Sequence, residues 1–371
     1  MMDFAPVFAL IIGIDLYQVH NPLNGAVADA NAFECFLKER FPSSQITTLL
    51  DAQATRENIK LAFERLRNDP AIQKGDAIII YFAGHGGRAP VSDDWMGWKP
   101  QDSQIEMICP VDIGIRSGLA KTTIGGIPDL TVAIWLNGIA REKGNNITLI
   151  LDCCHSAGAN RCDEETAYVP RRISNPPDIS LDDYNIWASD PETKNARSTG
   201  VPLAFVGQNQ ESHVLLAACG QIELAFENDK RGLFTRGLLD VLRQSDLRNL
   251  TYTSLIQNVR IPKFNQNPQC QGRYRDRVVF NAHTTRGNLS LIQGFKGNGM
   301  IVLKAGEVHG IKESSHFAIY RDGSSVSSTP LCTLIVKTIM PTTSNLSTLD
   351  RSDFSDVPSP FYAREISKEL I

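Results

Sequence analysis

Short, almost continuously apolar runs recur along the first part of the chain: Val7 to Ile14, Ile46 to Leu50, Ala77 to Phe82, Ile147 to Leu151 and His213 to Ala218. Runs this short, rich in Val, Ile and Leu, predict strands buried on both faces. Between them the apolar positions recur at helical intervals. Val27, Ala30, Phe33, Leu37 and Phe41 share one face of the segment from Asn24 to Phe41. Ile59, Ala62, Phe63 and Leu66 do the same from Thr55 to Leu66, with Thr55 as the helix start. Ile127 to Arg141 and Leu233 to Arg243 give two more amphipathic helices, the second following Gly232 and carrying Phe234, Leu238, Leu239 and Leu242. Strands alternating with helices specify an α/β fold, a parallel sheet joined by crossovers that are right-handed almost without exception.

Two stretches break this rhythm. Residues 159–212 are rich in Pro, Asp, Asn, Ser and Arg and carry no sustained apolar period, so they read as a polar, flexible insert in a domain spanning 1–280. An insert this long in a compact domain is usually functional or disordered. After Phe280 the glycines Gly287, Gly294, Gly297, Gly299, Gly306 and Gly310 punctuate short apolar runs, Met300 to Leu303, Phe317 to Tyr320 and Leu331 to Val336. That pattern predicts a small β-rich domain over 286–371.

Length and composition narrow the function classes. A chain of 371 residues with 42% hydrophobic and 21% charged residues is that of a globular protein of about two domains. Lys and Arg number 37 against 41 Asp and Glu, a net charge of -4, so the basic excess of a nucleic-acid or anionic-membrane binder is missing and neither partner is expected. The run from Val7 is too short to span a membrane and follows Asp3 instead of a basic segment, so neither a signal peptide nor a membrane helix is expected. Eight cysteines, two of them the adjacent Cys153 and Cys154, read as thiols of a reduced, cytoplasmic protein.

Two of the buried runs lead directly into residues that carry chemistry. Ala77 to Phe82 runs into Gly84-His85-Gly86-Gly87, and Ile147 to Leu151 runs into Asp152-Cys153-Cys154-His155-Ser156. Sites in open parallel sheets lie at the carboxyl ends of the strands, which brings His85 and Cys154 to one crevice. Only a thiolate attacks, and an adjacent imidazole generates it and then protonates the leaving amine. Glycines beside His85 let backbone N–H groups approach a developing oxyanion, and Gly86 and Cys154 are the candidate donors. Taken singly, Gly-His-Gly is often a turn and a Cys after a buried strand is often a small core residue; their coincidence carries the argument. His155 is badly placed as the base, because side chains adjacent in sequence face apart. Metal binding by Cys153, Cys154, His155 and Cys162 is disfavoured, since adjacent cysteines do not match zinc-site spacing.

Together these residues resemble the caspase-like cysteine peptidases (peptidase family C14), specifically the metacaspases and related caspase-domain proteins of fungi. The resemblance runs through Ile11-Ile12-Gly13-Ile14-Asp15, Leu23 to Ala30, Tyr81 to Gly86, Leu151 to Ser156, Leu215 to Cys219 and Gly232 to Thr235. It implies a three-layer αβα sandwich with a mostly parallel central sheet. It also implies Cys154 as nucleophile, His85 as general base and acid, and Asp29 with Asp152 as an acidic pocket for Arg or Lys on the substrate. Alone, Asp29 reads as a charge complementing a helix dipole; beside Asp152 a desolvated carboxylate pair rewards a cationic side chain.

Metacaspases resemble one another in staying monomeric, so a monomer acting on protein or peptide substrates is expected. They commonly depend on calcium held by Asp-rich loops. Here the matching region reads Ile127-Pro128-Asp129-Leu130, and Arg161 stands where an Asp would follow the nucleophile. Asp102, Glu106, Asp112 and Asp129 remain as a weak calcium set, so no required cofactor and little or no calcium dependence are expected. The basic residues of the insert, Arg161, Arg171, Arg172, Lys194 and Arg197, are candidate self-cleavage sites. Trp95 and Trp98, on the loop after His85, either wall a groove or pin the loop. The competing class is a catalytically silent caspase-like scaffold that recruits partners through its C-terminal domain.

Overall fold

The computed structural model describes residues 6–92, 104–117, 122–154, 168–189, 211–220, 223–262, 266–280, 292–297, 300–306, 311–321, 330–340, 343–348 and 357–366. The chain divides into two compact units. One comprises Met1–Asp246, Leu255–Arg275 and Val279–Ala282; the other comprises Leu247–Ser254, Asp276–Val278 and His283–Ile371.

The first unit is built on a six-stranded sheet. Its strands are β1 (Val7–Gly13), β2 (Gln45–Leu50), β3 (Ala77–Ala83), β4 (Ile147–Asp152), β5 (Val214–Ala217) and β6 (Gln269–Gln271), in the order β6-β5-β4-β3-β1-β2. All neighbours are parallel except β6, which runs antiparallel to β5. Every residue of β1, β3 and β4 is buried, as their nearly continuous apolar sequence predicts, whereas the edge strand β2 is partly exposed. The chain leaves β1 toward one edge to make β2, then turns back across the sheet to β3 and β4. The order therefore reverses between β1 and β3, the place where open parallel sheets open a crevice.

Among the described residues this unit holds the helices α1 (Ala26–Arg40), α2 (Arg56–Asn68), α3 (Asp129–Lys143), α4 (Leu181–Ser189) and α5 (Leu233–Gln244), with part of a short helix, Tyr252–Asn258. Helix α1 packs on β1, β3 and α5, while α2 packs on α3 and α3 on α4. Because β1-α1-β2 and β2-α2-β3 run in opposite directions along the sheet, right-handed crossovers put α1 and α2 on opposite faces. Thr55 caps α2, its Oγ1 accepting from the Asn58 N–H at 3.2 Å. Helix α1 starts at Gly25 without a side-chain cap of its own. Asp15 supplies one from the loop after β1, accepting from the N–H groups of Ala26 at 2.7 Å and Val27 at 3.2 Å.

Part of the polar insert is built into this unit. Residues 168–189 contain a short strand, Val169–Pro170, and helix α4. Two buried side chains hold α4 down. Trp187 Nε1 donates to Thr131 Oγ1 on α3 at 2.9 Å, and the Asp183 carboxylate accepts from Arg56 Nη2 at 2.7 and 2.8 Å and from Thr131 Oγ1 at 2.7 Å. A nine-residue helix anchored by one Trp and one Asp has too short an apolar period to be read from sequence. Trp135 packs on Phe63 with ring centroids 5.1 Å apart, while Trp95 and Trp98 lie outside the described residues.

The second unit contains six antiparallel strands that close into a barrel: Ile292–Gly297, Met300–Leu303, His316–Tyr320, Cys332–Ile339, Ser344–Thr348 and Phe361–Ile366. Leu303, Phe317, Ile319, Leu334 and Phe361 fill its interior. Closure leaves the barrel no unpaired edge. Among the described residues, no helix is long and apolar enough to cross a membrane.

Candidate active site

The register of the central strands sets the site. Ala83 of β3 pairs with Asp152 of β4, and His85 and Cys154 each lie two residues further on. Adjacent strands about 4.8 Å apart thus deliver both residues to one end of the sheet. Both are buried. The backbone N–H of His85 donates to Tyr17 Oη at 2.7 Å, and the two rings pack with centroids 4.7 Å apart. Tyr17 Oη in turn donates to the Cys109 carbonyl at 3.2 Å.

Imidazole Nε2 of His85 lies 2.9 Å from the carbonyl oxygen of Asn21. A carbonyl only accepts, so the ring hydrogen sits on Nε2 and Nδ1 keeps its lone pair. Nδ1 is buried and has no hydrogen-bond partner among the described residues. Burial also pushes the pKa of His85 down to about 4, so the ring is neutral at neutral pH. The sulfur of Cys154 is held by Ala225, whose N–H donates to Sγ at 2.8 Å and whose carbonyl accepts from the thiol at 3.0 Å. Sequence reasoning missed Asn21 and Ala225, because a residue acting through its backbone leaves no side-chain signal.

The N–H groups of Gly86 and Cys154 converge on one oxygen, the carbonyl of Arg171, each at 3.1 Å. The Arg171 N–H donates to the Ala225 carbonyl at 3.0 Å. Just before it, Val169 and Pro170 pair antiparallel with Glu227 and Phe226. Val169 to Arg171 is therefore an added strand that ends with a carbonyl between two aimed donors.

The side chain of Arg171 is fully buried among carboxylates. Its Nη2 lies 2.7 Å from Asp29 Oδ2 and 3.3 Å from Glu227 Oε2, and its Nη1 lies 3.0 Å from Asp152 Oδ2. Nε donates to Glu227 Oε2 at 3.3 Å. Each acid has further support. Asp29 accepts from the Gly232 N–H at 2.6 Å and from Arg231 Nε at 2.5 Å, and Asp152 accepts from Thr235 Oγ1 at 2.6 Å. Glu227 Oε1 accepts from the Asn24 N–H at 2.8 Å. Burial raises the pKa values of Asp152 and Glu227 against the opposing pull of Arg171. Gly232 closes the pocket: a Cβ there would lie 2.6 Å from Asp29 Oδ2 and Asp152 Oδ2 and 2.7 Å from Arg171 Nη1.

The structure thus gathers His85, Cys154, Gly86, Asp29, Asp152 and Arg171 around one crevice. Asp29 spends its carboxylate on this pocket although it lies in the first turn of α1. Arg172 is the residue after the held carbonyl, and its N–H donates to the Pro170 carbonyl at 3.0 Å. Arg161, Lys194 and Arg197 lie outside the described residues, as do His155 and Cys162. Sequence reasoning missed Glu227, which sits in a three-residue strand with no period to read, and it used Gly232 only as part of the family pattern.

The described members of the weak calcium set are each engaged elsewhere. Glu106 is paired with Arg88 at 2.7 Å, and Asp112 accepts from the Arg56 N–H at 2.9 Å at the start of α2. Asp129 accepts from the Leu130 N–H at 2.6 Å, and Asp102 lies outside the described residues. Among the described residues no group of three or more His, Cys, Asp or Glu side chains is arranged to hold a metal ion. A calcium shell takes six to eight oxygens, more than these carboxylates bring to one place among the described residues.

A mostly parallel sheet in this strand order, with His and Cys at the ends of neighbouring strands, defines a caspase-type α/β unit. The chain belongs to the caspase-domain family, peptidase C14, whose pattern it matches over residues 7–279. Among similar curated proteins are Metacaspase-1 of Candida albicans, 25% identical over 299 residues, and Metacaspase-1B of Aspergillus oryzae, 32% identical over 160 residues. The first alignment covers 70% of this chain and 63% of the relative, the second 41% and 34%. The chain thus spans less than two thirds of the length of these relatives. The crystal structure of protein GSU0716 from Geobacter sulfurreducens superposes with a TM-score of 0.52 at 19% identity, covering 75% of this chain and 99% of that one, a likeness of fold.

Proposed function

We propose that this chain is a cysteine endopeptidase that hydrolyses peptide bonds after Arg or Lys, and that it processes itself at the bond between Arg171 and Arg172. The observation that carries this reading is the position of Arg171. Its carbonyl lies between the N–H groups of Gly86 and Cys154 while its guanidinium lies among Asp29, Asp152 and Glu227. A peptide presenting a basic residue has these same groups to meet.

His85 Nδ1 takes the proton of the Cys154 thiol, and the sulfur adds to the carbonyl carbon of the basic residue. Negative charge develops on the carbonyl oxygen where the Gly86 and Cys154 N–H groups point. The carbon–nitrogen bond breaks as His85 returns the proton to the leaving amine. Water then adds to the thioester, with His85 as base, and releases the new carboxylate and the thiol. Asn21 holds the ring through Nε2, so the same nitrogen, Nδ1, carries the proton both ways.

Membership in the caspase-domain family and the likeness to metacaspases support this reading. A chain whose crevice is closed by its own Arg171 also fits the scaffold alternative, in which that segment never leaves. The test compares wild type with Cys154→Ala on peptides that differ only in carrying Arg, Lys or Asp before the scissile bond, with calcium and with EDTA. Mass spectrometry searches both proteins for a new N-terminus at Arg172. Cleavage after Arg and Lys in the wild type alone, with that new N-terminus, is expected. Cleavage after Asp, or none with an intact chain, overturns the proposal.

A further inference from the structure

The two sides of the Arg171–Arg172 bond are held differently. Upstream, Val169 and Pro170 pair with Glu227 and Phe226 and Arg171 fills the pocket, so these three residues must leave before another peptide can enter. Downstream, the chain is tied to the scaffold. The Ile173 N–H donates to the Gly86 carbonyl at 2.8 Å, part of a parallel bridge that seats Arg172 beside the strand Gly86–Pro90. Ile173 itself is buried. Pro176 covers Gly87 so closely that a Cβ there would stand 3.2 Å from its Cγ, and a Cβ on Gly125 would stand 3.0 Å from the Asp178 carbonyl. Ile179 is buried, and α4 follows at once, fixed to α3 through Trp187 and to Arg56 through Asp183.

Once the bond is cut, the new α-amino group of Arg172 is one residue away from the anchored Ile173 and next to Gly86, whose N–H points at the reacting carbonyl. In ordinary hydrolysis the leaving amine diffuses away and water takes its place. This leaving amine is the end of an anchored segment, and a nucleophile held in place acts as though greatly concentrated.

We infer that the cut chain uses the Arg172 amine as an acyl acceptor, so that beside hydrolysis the site carries out transpeptidation, joining the part of a peptide that ends in its basic residue to Arg172. This rests on the proposed cleavage between Arg171 and Arg172. A second peptide, its basic residue in the vacated pocket, acylates Cys154 and loses its own leaving group. The Arg172 nitrogen adds to the thioester carbon; a carbon–nitrogen bond forms and the carbon–sulfur bond breaks. One proton passes from that nitrogen to His85 Nδ1 and on to the Cys154 sulfur. A thioester and an amine thus become an amide and a thiol, and neither an oxidant nor a cofactor is consumed.

The experiment mixes the self-processed wild-type chain with an N-terminally labelled peptide ending in an arginine arylamide, whose small leaving group needs little room beside the retained segment. Samples are quenched in acid within the first turnovers, and tandem mass spectrometry locates the label while absorbance follows arylamine release. The label is expected on the fragment that begins at Arg172, at its α-nitrogen, at least about tenfold above any lysine amine of the chain, because only the held amine gains from proximity. Arylamine release with the Arg172 nitrogen unlabelled, or labelled no more than the lysines, overturns the inference and leaves the peptidase reading standing. Release by a chain that stays uncut overturns it together with self-processing. A chain that is neither cut nor releases arylamine overturns both the inference and the peptidase reading.

Discussion

At the residue scale, the state of His85 follows from its neighbours. The Asn21 carbonyl fixes the hydrogen on Nε2, and burial depresses the pKa to about 4. In the proposed mechanism the base is the neutral ring, so activity is expected above that value and is lost as pH falls through it. The acid limb of kcat/KM for an Arg peptide is therefore expected near pH 4, well below the ordinary histidine value of about 6.5. A pH profile between 3.5 and about 8 reads it directly. A limb at the ordinary value means that the working site is more hydrated around His85 than this closed crevice. Ionisation also bears on stability. Since the native state refuses a proton that the unfolded chain accepts, the contribution of His85 is full above about 6.5 and declines as pH falls toward 4. His213, buried and likewise depressed to about 4, acts in the same direction.

At the scale of elements, the pocket depends on how closely α1 lies on the sheet. A Cβ at Gly13 would stand 2.6 Å from the Cβ of Ala30 and 3.0 Å from the Ala26 carbonyl, so β1 and α1 meet where no side chain fits between. Asp29 rides on the same helix. Gly13→Ala is expected to destabilise the protein by about 1–3 kcal/mol through this overpacking. Urea denaturation measures the loss, and a near-neutral result shows that the helix yields easily. What was legible in the sequence follows the same division. Strands β1, β3 and β4 announce themselves because burial on both faces makes them almost continuously apolar, with Thr148 the one polar residue before the site at Asp152. Helix α4 and the strand Val169–Pro170 do not, because each is held by a few tertiary contacts instead of a repeated face. His85 and Cys154 stood out through their place after buried strands. Asp29 and Asp152 stood out only through family likeness, since a lone Asp in a first helical turn has an ordinary explanation. Arg171 was one of five basic residues in the insert with equal standing. What separates it is the pairing of Val169 and Pro170 with the strand that carries Glu227, a contact between segments over fifty positions apart.

At the scale of the whole molecule, the first unit carries its own occupant. Three buried carboxylates meet the fully buried Arg171 and the partly exposed Arg231, so the cluster is nearly balanced only while Arg171 stays in place. Removing one partner of a buried ionic group typically costs about 3–5 kcal/mol, because the charges left behind are uncompensated. Arg171→Ala in the Cys154→Ala background is expected to lose stability on that scale at neutral pH. The loss should shrink as pH falls, for a definite reason. Burial already raises the pKa values of Asp152 and Glu227 while Arg171 opposes the rise, so without Arg171 the native acids bind protons at a pH where the unfolded chain does not. Proton uptake by the native state alone adds stability as pH is lowered. With Cys154 intact the same substitution is expected to open the site, so that Arg171→Ala should cut Arg peptides from the first mixing, whereas intact wild type should show a lag that ends with the proposed cleavage after Arg171. Urea titrations at two pH values and progress curves on the intact chains read both effects. Equal stability of variant and parent at neutral pH shows that solvent fills the pocket at little cost, and a variant without activity shows that Arg171 serves the fold alone.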